Sequence, residues 1–82
     1  MAVEASQIDT LIKSHIPDAE IRIEDMRGDG DHYAAYVCAE SFRNLTRLQQ
    51  HRTVMEAVKS IMTKELHALA VHTSVPNNND NT

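Results

Sequence analysis

The chain has few cysteines, glycines, prolines and aromatic residues: its 82 residues include one cysteine, two glycines, two prolines and no tryptophan. The single thiol, Cys38, excludes an internal disulfide framework and a zinc site built from several cysteines. A small domain without disulfides is typical of a reducing compartment. With two tyrosines and one phenylalanine as the only aromatics, the core must be built from aliphatic side chains.

Membrane and enzyme signatures are also lacking. No apolar run approaches the roughly 20 residues that a membrane span needs, and residues 1–10 lack the basic start and apolar block of a signal peptide. The sequence contains no CxxC, HExxH, P-loop or GxSxG motif. We therefore expect a cytoplasmic protein that is not an enzyme and takes no small-molecule substrate.

Charge is unevenly distributed along the chain, whose net charge is −4. Residues 43–64 hold five basic residues against one acidic residue, a net +4, and the remainder holds three against eleven, a net −8. Two interpretations stay open. The basic segment contacts phosphates or an acidic partner, or it is a solvated face on which Glu56 pairs with Arg52 and Lys59.

Apolar periodicity predicts an α+β domain over residues 1–75. A helix over residues 3–15 is followed by an alternating strand (19–26), a glycine-containing hairpin loop (27–31) and a second strand (32–40). Thr46 and Gln49 form a capping box before the main helix, which is followed by a last strand over residues 66–74. A short extra helical turn is expected within residues 42–48, and the Asn-rich tail, residues 76–82, is expected to be disordered.

Two details of this prediction concern the packing. In the main helix, Leu48, Met55, Val58 and Met62 form one apolar stripe with Val54 and Ile61 beside it, and we expect this face to lie toward the core. The crossover from the second strand to the last predicts parallel pairing. The result is a three-stranded mixed sheet with helices on one face.

Histidines provide the candidate site. The chain has five histidines, and His32 and His67 begin strands that are predicted to be parallel neighbours, about 4.8 Å apart. Two imidazoles at that end of the sheet can converge on one metal or cluster, or they can be ordinary loop and strand histidines. We expect His51 at the edge of the core, bonded to a carbonyl, and Cys38 as a small mid-strand hydrophobe.

Four segments and one aromatic residue together resemble the BolA family. They are GDGDHY (28–33), Phe42, LQQHRTV (48–54), LHAL (66–69) and TSVP (73–76). Each motif is short, but their order and spacing match from about residue 8 to residue 76. The resemblance implies an α-β-β-α-(α)-β fold similar to a class II KH domain.

The resemblance also implies a function. BolA proteins partner monothiol glutaredoxins and share a bridging [2Fe–2S] cluster, for which glutaredoxin and glutathione supply thiolates. The ligands on the BolA side correspond here to His67 and His32. The family is also linked to transcriptional regulation through its KH-like surface, and the alternative function is therefore a DNA-binding regulator. Its candidate phosphate contacts are Arg43, Arg47, Arg52 and Lys59, since the glycine-containing GxxG clamp of a true KH domain is missing.

Overall fold

The computed structural model describes residues 4–28, 32–62 and 68–76. Two α-helices and three β-strands follow one another as α1 (Ala5–His15), β1 (Glu20–Asp25), β2 (His32–Cys38), α2 (Arg47–Met62) and β3 (Ala68–Ser74). A short 3-10 turn, Glu40–Phe42, connects β2 to α2. The extra helical turn therefore lies slightly earlier than predicted, and β2 ends two residues earlier because Glu40 joins that turn.

The sheet has the predicted mixed topology, with the order β1-β2-β3. β1 and β2 pair antiparallel, with Asp25 opposite Tyr33, and β2 and β3 pair parallel, with His32 opposite Ala68 and Cys38 opposite Ser74. The sheet thus has two ends. The end with Asp25, His32 and Ala68 is called the hairpin end, and the end with Cys38 and Ser74 is called the crossover end.

Both helices pack on one face of the sheet, which confirms the predicted α+β architecture. Their contacts form a single aliphatic core around Phe42, which is buried together with Ile8 and Ile12 of α1. Alternation in β2 turns Ala35 and Val37 into this core. No helix of the described residues is both long and apolar enough to cross a membrane.

The apolar face predicted for α2 is confirmed at Val58 and at the neighbouring Val54 and Ile61, but it is wrong at Leu48. The buried residues of α2 are Gln50, Val54, Val58 and Ile61. Leu48, which was expected in the core, is 60 % exposed, and Met55 and Met62 are half-buried. Apolar residues cover a wide arc of this helix, so the sequence pattern alone did not distinguish the core face from its flank.

Gln50 can be buried in the core because both the nitrogen and the oxygen of its side-chain amide are hydrogen-bonded. Its Nε2 donates to the carbonyl oxygens of Phe42 (3.1 Å) and Leu45 (3.1 Å). Its Oε1 accepts from the Thr73 hydroxyl at 2.7 Å. A buried amide that finds three partners avoids the desolvation penalty of an unpaired polar group. Gln50 therefore joins α2, the connection before it and β3 at the crossover end.

The connection after α1 is fixed at the same end. The Asp18 carboxylate accepts hydrogen bonds from the Ser41 backbone N–H (3.0 Å) and hydroxyl (3.0 Å). The Ser41 N–H stabilises the ionised form and so lowers the pKa of Asp18 below its ordinary value of 3.8. The α1–β1 turn is thus held to the 3-10 turn that follows β2.

Candidate functional site

His32 opens β2 at the hairpin end and is half-buried. The Met26 N–H donates to the His32 carbonyl oxygen at 2.7 Å and continues the ladder one residue past β1. On the other side of β2, His32 is in register with Ala68. His67, the other predicted ligand, lies outside the described residues, as do the hairpin-tip residues 29–31. The predicted parallel pairing is confirmed up to Ala68, the residue that follows His67 in the sequence.

An ordered turn precedes the hairpin tip. The Asp25 Oδ1 accepts from the N–H groups of Arg27 (3.3 Å) and Gly28 (2.8 Å). Gly28 has a φ of 71°, a left-handed conformation that a residue with a Cβ rarely adopts. Met26 lies within this turn and is 60 % exposed. The hairpin end thus holds a half-buried His32 and an exposed Met26, whose backbones are hydrogen-bonded.

The four candidate phosphate contacts do not form one patch. Arg43 is engaged by Glu40 through two bonds of 2.6 and 2.9 Å and also donates to the Pro76 carbonyl oxygen at 3.0 Å. The hydrogen bond from Arg43 to Glu40 raises the pKa of that guanidinium. Lys59 pairs with Glu56 at 3.2 Å. Arg47 and Lys59 are about 18 Å apart along the helix axis, at 1.5 Å per residue.

Arg52 is the basic residue of this set that shares a side of α2 with Lys59, as the spacing predicts. Glu56 was predicted to pair with both Arg52 and Lys59, and it pairs with Lys59. No carboxylate of the described part of the chain pairs with Arg52.

The face of the sheet opposite the helices carries a row of three stacked planar side chains that the sequence pattern did not predict. Arg22, Tyr36 and His72 are in register across the three strands. The His72 ring stacks on Tyr36 with centroids 4.7 Å apart and an interplanar angle of 11°, and the Arg22 guanidinium lies 4.4 Å from the Tyr36 ring centroid. This row can be recognised only when the register of all three strands is known. The same three side chains line a shallow cavity of about 480 Å³.

The remaining histidines and the cysteine do not join the site. His51 is exposed, so its predicted place at the core edge is wrong. Cys38 is a half-buried free thiol on the wall of the open-face cavity, at the crossover end. Within residues 4–28, 32–62 and 68–76, no three His, Cys, Asp or Glu side chains cluster as a metal site.

With the geometry established, comparison with known proteins defines the class. The family model described as BolA-like protein matches residues 3–78. An uncharacterized protein of Rickettsia prowazekii is 35 % identical over 77 residues, which cover 93 % of this chain and all of the relative. Human BolA-like protein 3 is 33 % identical over 72 residues, covering 85 % of this chain and 66 % of the human protein.

Solved structures agree with this assignment. A BolA protein homologue from Coxiella burnetii is similar with a TM-score of 0.78 at 30 % identity, and the match covers 96 % of this chain and 99 % of that one. This chain shares with that homologue the architecture of two helices and a three-stranded mixed sheet. The chain belongs to the BolA family.

Proposed function

We propose that this protein is a non-enzymatic binding module that pairs with a monothiol glutaredoxin and co-ligates a shared, labile [2Fe–2S] cluster. The observation that carries the proposal is the parallel pairing of β2 and β3 at the hairpin end, where His32 is opposite Ala68. His67, the second proposed ligand, directly precedes Ala68 in the sequence.

The donor set fits such a cluster. Imidazole replaces thiolate on one iron in known [2Fe–2S] proteins. With one cysteine in the chain, the other ligands have to come from a partner, and glutaredoxin with glutathione supplies two thiolates. Replacing thiolates by neutral imidazoles makes the cluster less negative and raises its reduction potential. A cluster held across two proteins suits transfer or sensing in iron–sulfur trafficking or iron and redox regulation.

The experiment adds the protein to a monothiol glutaredoxin carrying its reconstituted cluster, and visible absorption and circular dichroism follow the heterodimer. We expect a new spectrum for the wild-type protein. With His32→Ala or His67→Ala, the new spectrum should be absent, or the cluster-bridged heterodimer should decay at least about tenfold faster, because each substitution removes a proposed iron ligand. His51→Ala is the control because His51 is exposed on α2, and it should match the wild type.

Two outcomes contradict the proposal at different levels. If the wild-type protein leaves the glutaredoxin spectrum unchanged, the partnership is wrong. If His67→Ala and His32→Ala both reproduce the wild-type spectrum and lifetime, the partnership stands and the ligand assignment fails.

DNA binding by the basic helix is supported less well. Arg43 and Lys59 are each paired with a carboxylate, and a phosphate contact would have to compete with those pairs. Several phosphate contacts produce a steep fall of affinity with salt. A measured DNA affinity that falls steeply with salt and weakens in Arg47→Ala and Arg52→Ala would favour this second function.

A further inference from the structure

The outward flank of α2 carries a regular seam of side chains. Its members recur at intervals of four and three residues, and apolar and basic residues alternate along it. They are Leu48, Arg52, Met55, Lys59 and Met62. We call this set the outer seam. A four–three repeat along a helix is the spacing by which one helix packs along another.

The outer seam is accessible and shaped. Leu48 is 60 % exposed, Arg52 and Lys59 are exposed, and Met55 and Met62 are half-buried. A furrow of about 340 Å³ follows the seam between Arg52 and Met62, with the two methionines among its lining residues. Methionine side chains adapt their shape and are over-used at surfaces that bind helices.

A second copy of this chain does not fit the outer seam. In a parallel two-fold pairing of α2 with its copy, Arg52 faces Arg52 and Lys59 faces Lys59. In an antiparallel pairing centred on Met55, Arg52 lies near Lys59 of the copy. Both arrangements place like charges against each other at the seam, which costs affinity and disfavours self-association.

Nucleic acid does not fit the outer seam either. The furrow is lined by two thioethers, which gain nothing from a phosphate backbone. The Glu56 carboxylate in its lining is paired with Lys59 at 3.2 Å and does not distinguish phosphates from carboxylates. An apolar furrow bordered by cations is complementary instead to an apolar stripe bordered by carboxylates.

We propose that the outer seam is a docking site for an acidic amphipathic helix of a protein partner. Leucines of that helix occupy the furrow over Met55 and Met62. The glutamates of that helix face Arg52 and Lys59. Arg52 has no carboxylate partner among the described residues, and Lys59 would exchange its ion pair with Glu56 for one with the partner. This site lies on α2 and does not depend on a cluster at the hairpin end.

The probe is a synthetic fluorescein-labelled helical peptide about three heptads long, with leucine at the a and d positions and glutamate at e and g. Fluorescence anisotropy measures its affinity for the full chain, and backbone chemical-shift mapping locates it. The comparison probes are the same peptide with lysine replacing glutamate and a labelled DNA duplex. We expect binding of the acidic peptide with shifts on the outer seam, and affinities at least about tenfold lower for both comparison probes.

Two charge-reversal variants separate the seam from general electrostatics. Arg52→Glu and Arg47→Glu change the net charge equally, but Arg47 lies outside the outer seam. We expect Arg52→Glu to weaken the acidic peptide about tenfold and Arg47→Glu to weaken it less than about threefold. Met55→Gln, which keeps length and removes the apolar contact, should weaken it about fivefold. Thermal unfolding by circular dichroism checks that each variant is folded.

The proposal is overturned if the acidic peptide does not bind or if its chemical shifts lie elsewhere. It is also overturned if Arg47→Glu weakens binding as much as Arg52→Glu, because attraction then depends on net charge alone. Tighter binding of the DNA duplex than of the acidic peptide would assign the seam to nucleic acid.

Discussion

The two ends of the sheet are built differently. At the crossover end, Gln50 joins Phe42, Leu45 and Thr73 through three hydrogen bonds, and Asp18 holds Ser41 through two more. The hairpin end presents a half-buried His32 and an exposed Met26. The crossover end thus fixes the packing of the helices on the sheet, and the hairpin end holds His32, one of the two proposed cluster ligands.

The difference between the two ends shows which of the BolA-like sequence features stabilise the fold. Phe42 and the segments that contain Gln50 and Thr73 are three of the features that resemble the BolA family, and Gln50 is hydrogen-bonded to both of the other residues at the crossover end. Their spacing is dictated by folding. The resemblance of those segments therefore identifies the fold, whereas the proposed function depends on the hairpin end alone.

The largest expected effect breaks the crossover end. Gln50→Leu keeps the volume of the side chain but leaves the Leu45 carbonyl oxygen and the Thr73 hydroxyl without this partner, while the Phe42 carbonyl oxygen retains only its bond from the Leu45 N–H at 3.0 Å. We expect a loss of about 2–4 kcal/mol in the free energy of unfolding, measured by urea denaturation followed by circular dichroism. Thr73→Val, which removes one of the three bonds, should cost about 1 kcal/mol.

The matched substitution at the hairpin end is His32→Ala. The substitution keeps the backbone hydrogen bond from the Met26 N–H to the His32 carbonyl oxygen, so we expect a smaller loss in the free energy of unfolding than for Gln50→Leu, about 1 kcal/mol, while a proposed cluster ligand is removed. The contrast between the ends is wrong if His32→Ala destabilises the protein as much as Gln50→Leu does.

Local signals predicted the fold well, and the errors have a common cause. The capping box of Thr46 and Gln49, the strand alternation and the parallel crossover depend on neighbouring residues or on chain handedness, and all are present. The burial of Gln50 in place of Leu48 was not predictable, because the partners of its amide come from other elements. The position of His32 beside β3 followed from topology, whereas the row of Arg22, Tyr36 and His72 required the register of all three strands.

An intermediate loss of stability is expected at the N-terminus of α2, which begins at the crossover end of the sheet. The Thr46 hydroxyl accepts from the Gln49 N–H at 3.1 Å, and the Gln49 side-chain oxygen accepts from the Thr46 N–H at 2.9 Å. Thr46→Ala should lower the free energy of unfolding by about 1 kcal/mol. Thr53→Ala is the control within the same helix, since its hydroxyl only donates back to the Gln49 carbonyl and alanine has the higher helix propensity. Equal losses in both variants would mean that the cap contributes nothing specific.

The smallest effect is expected at Asp18 and depends on pH. Because the Ser41 N–H lowers the pKa of Asp18 in the folded protein, folding favours the ionised carboxylate. The resulting stability is complete above the ordinary value of 3.8 and is lost as the pH falls through the lower folded pKa. Melting temperatures of the wild type and Asp18→Asn, measured from neutral pH to about pH 2.5, should therefore differ by a constant small amount and then converge in acid. A difference that persists undiminished at the lowest pH would show that the Asp18–Ser41 contact acts through packing rather than charge.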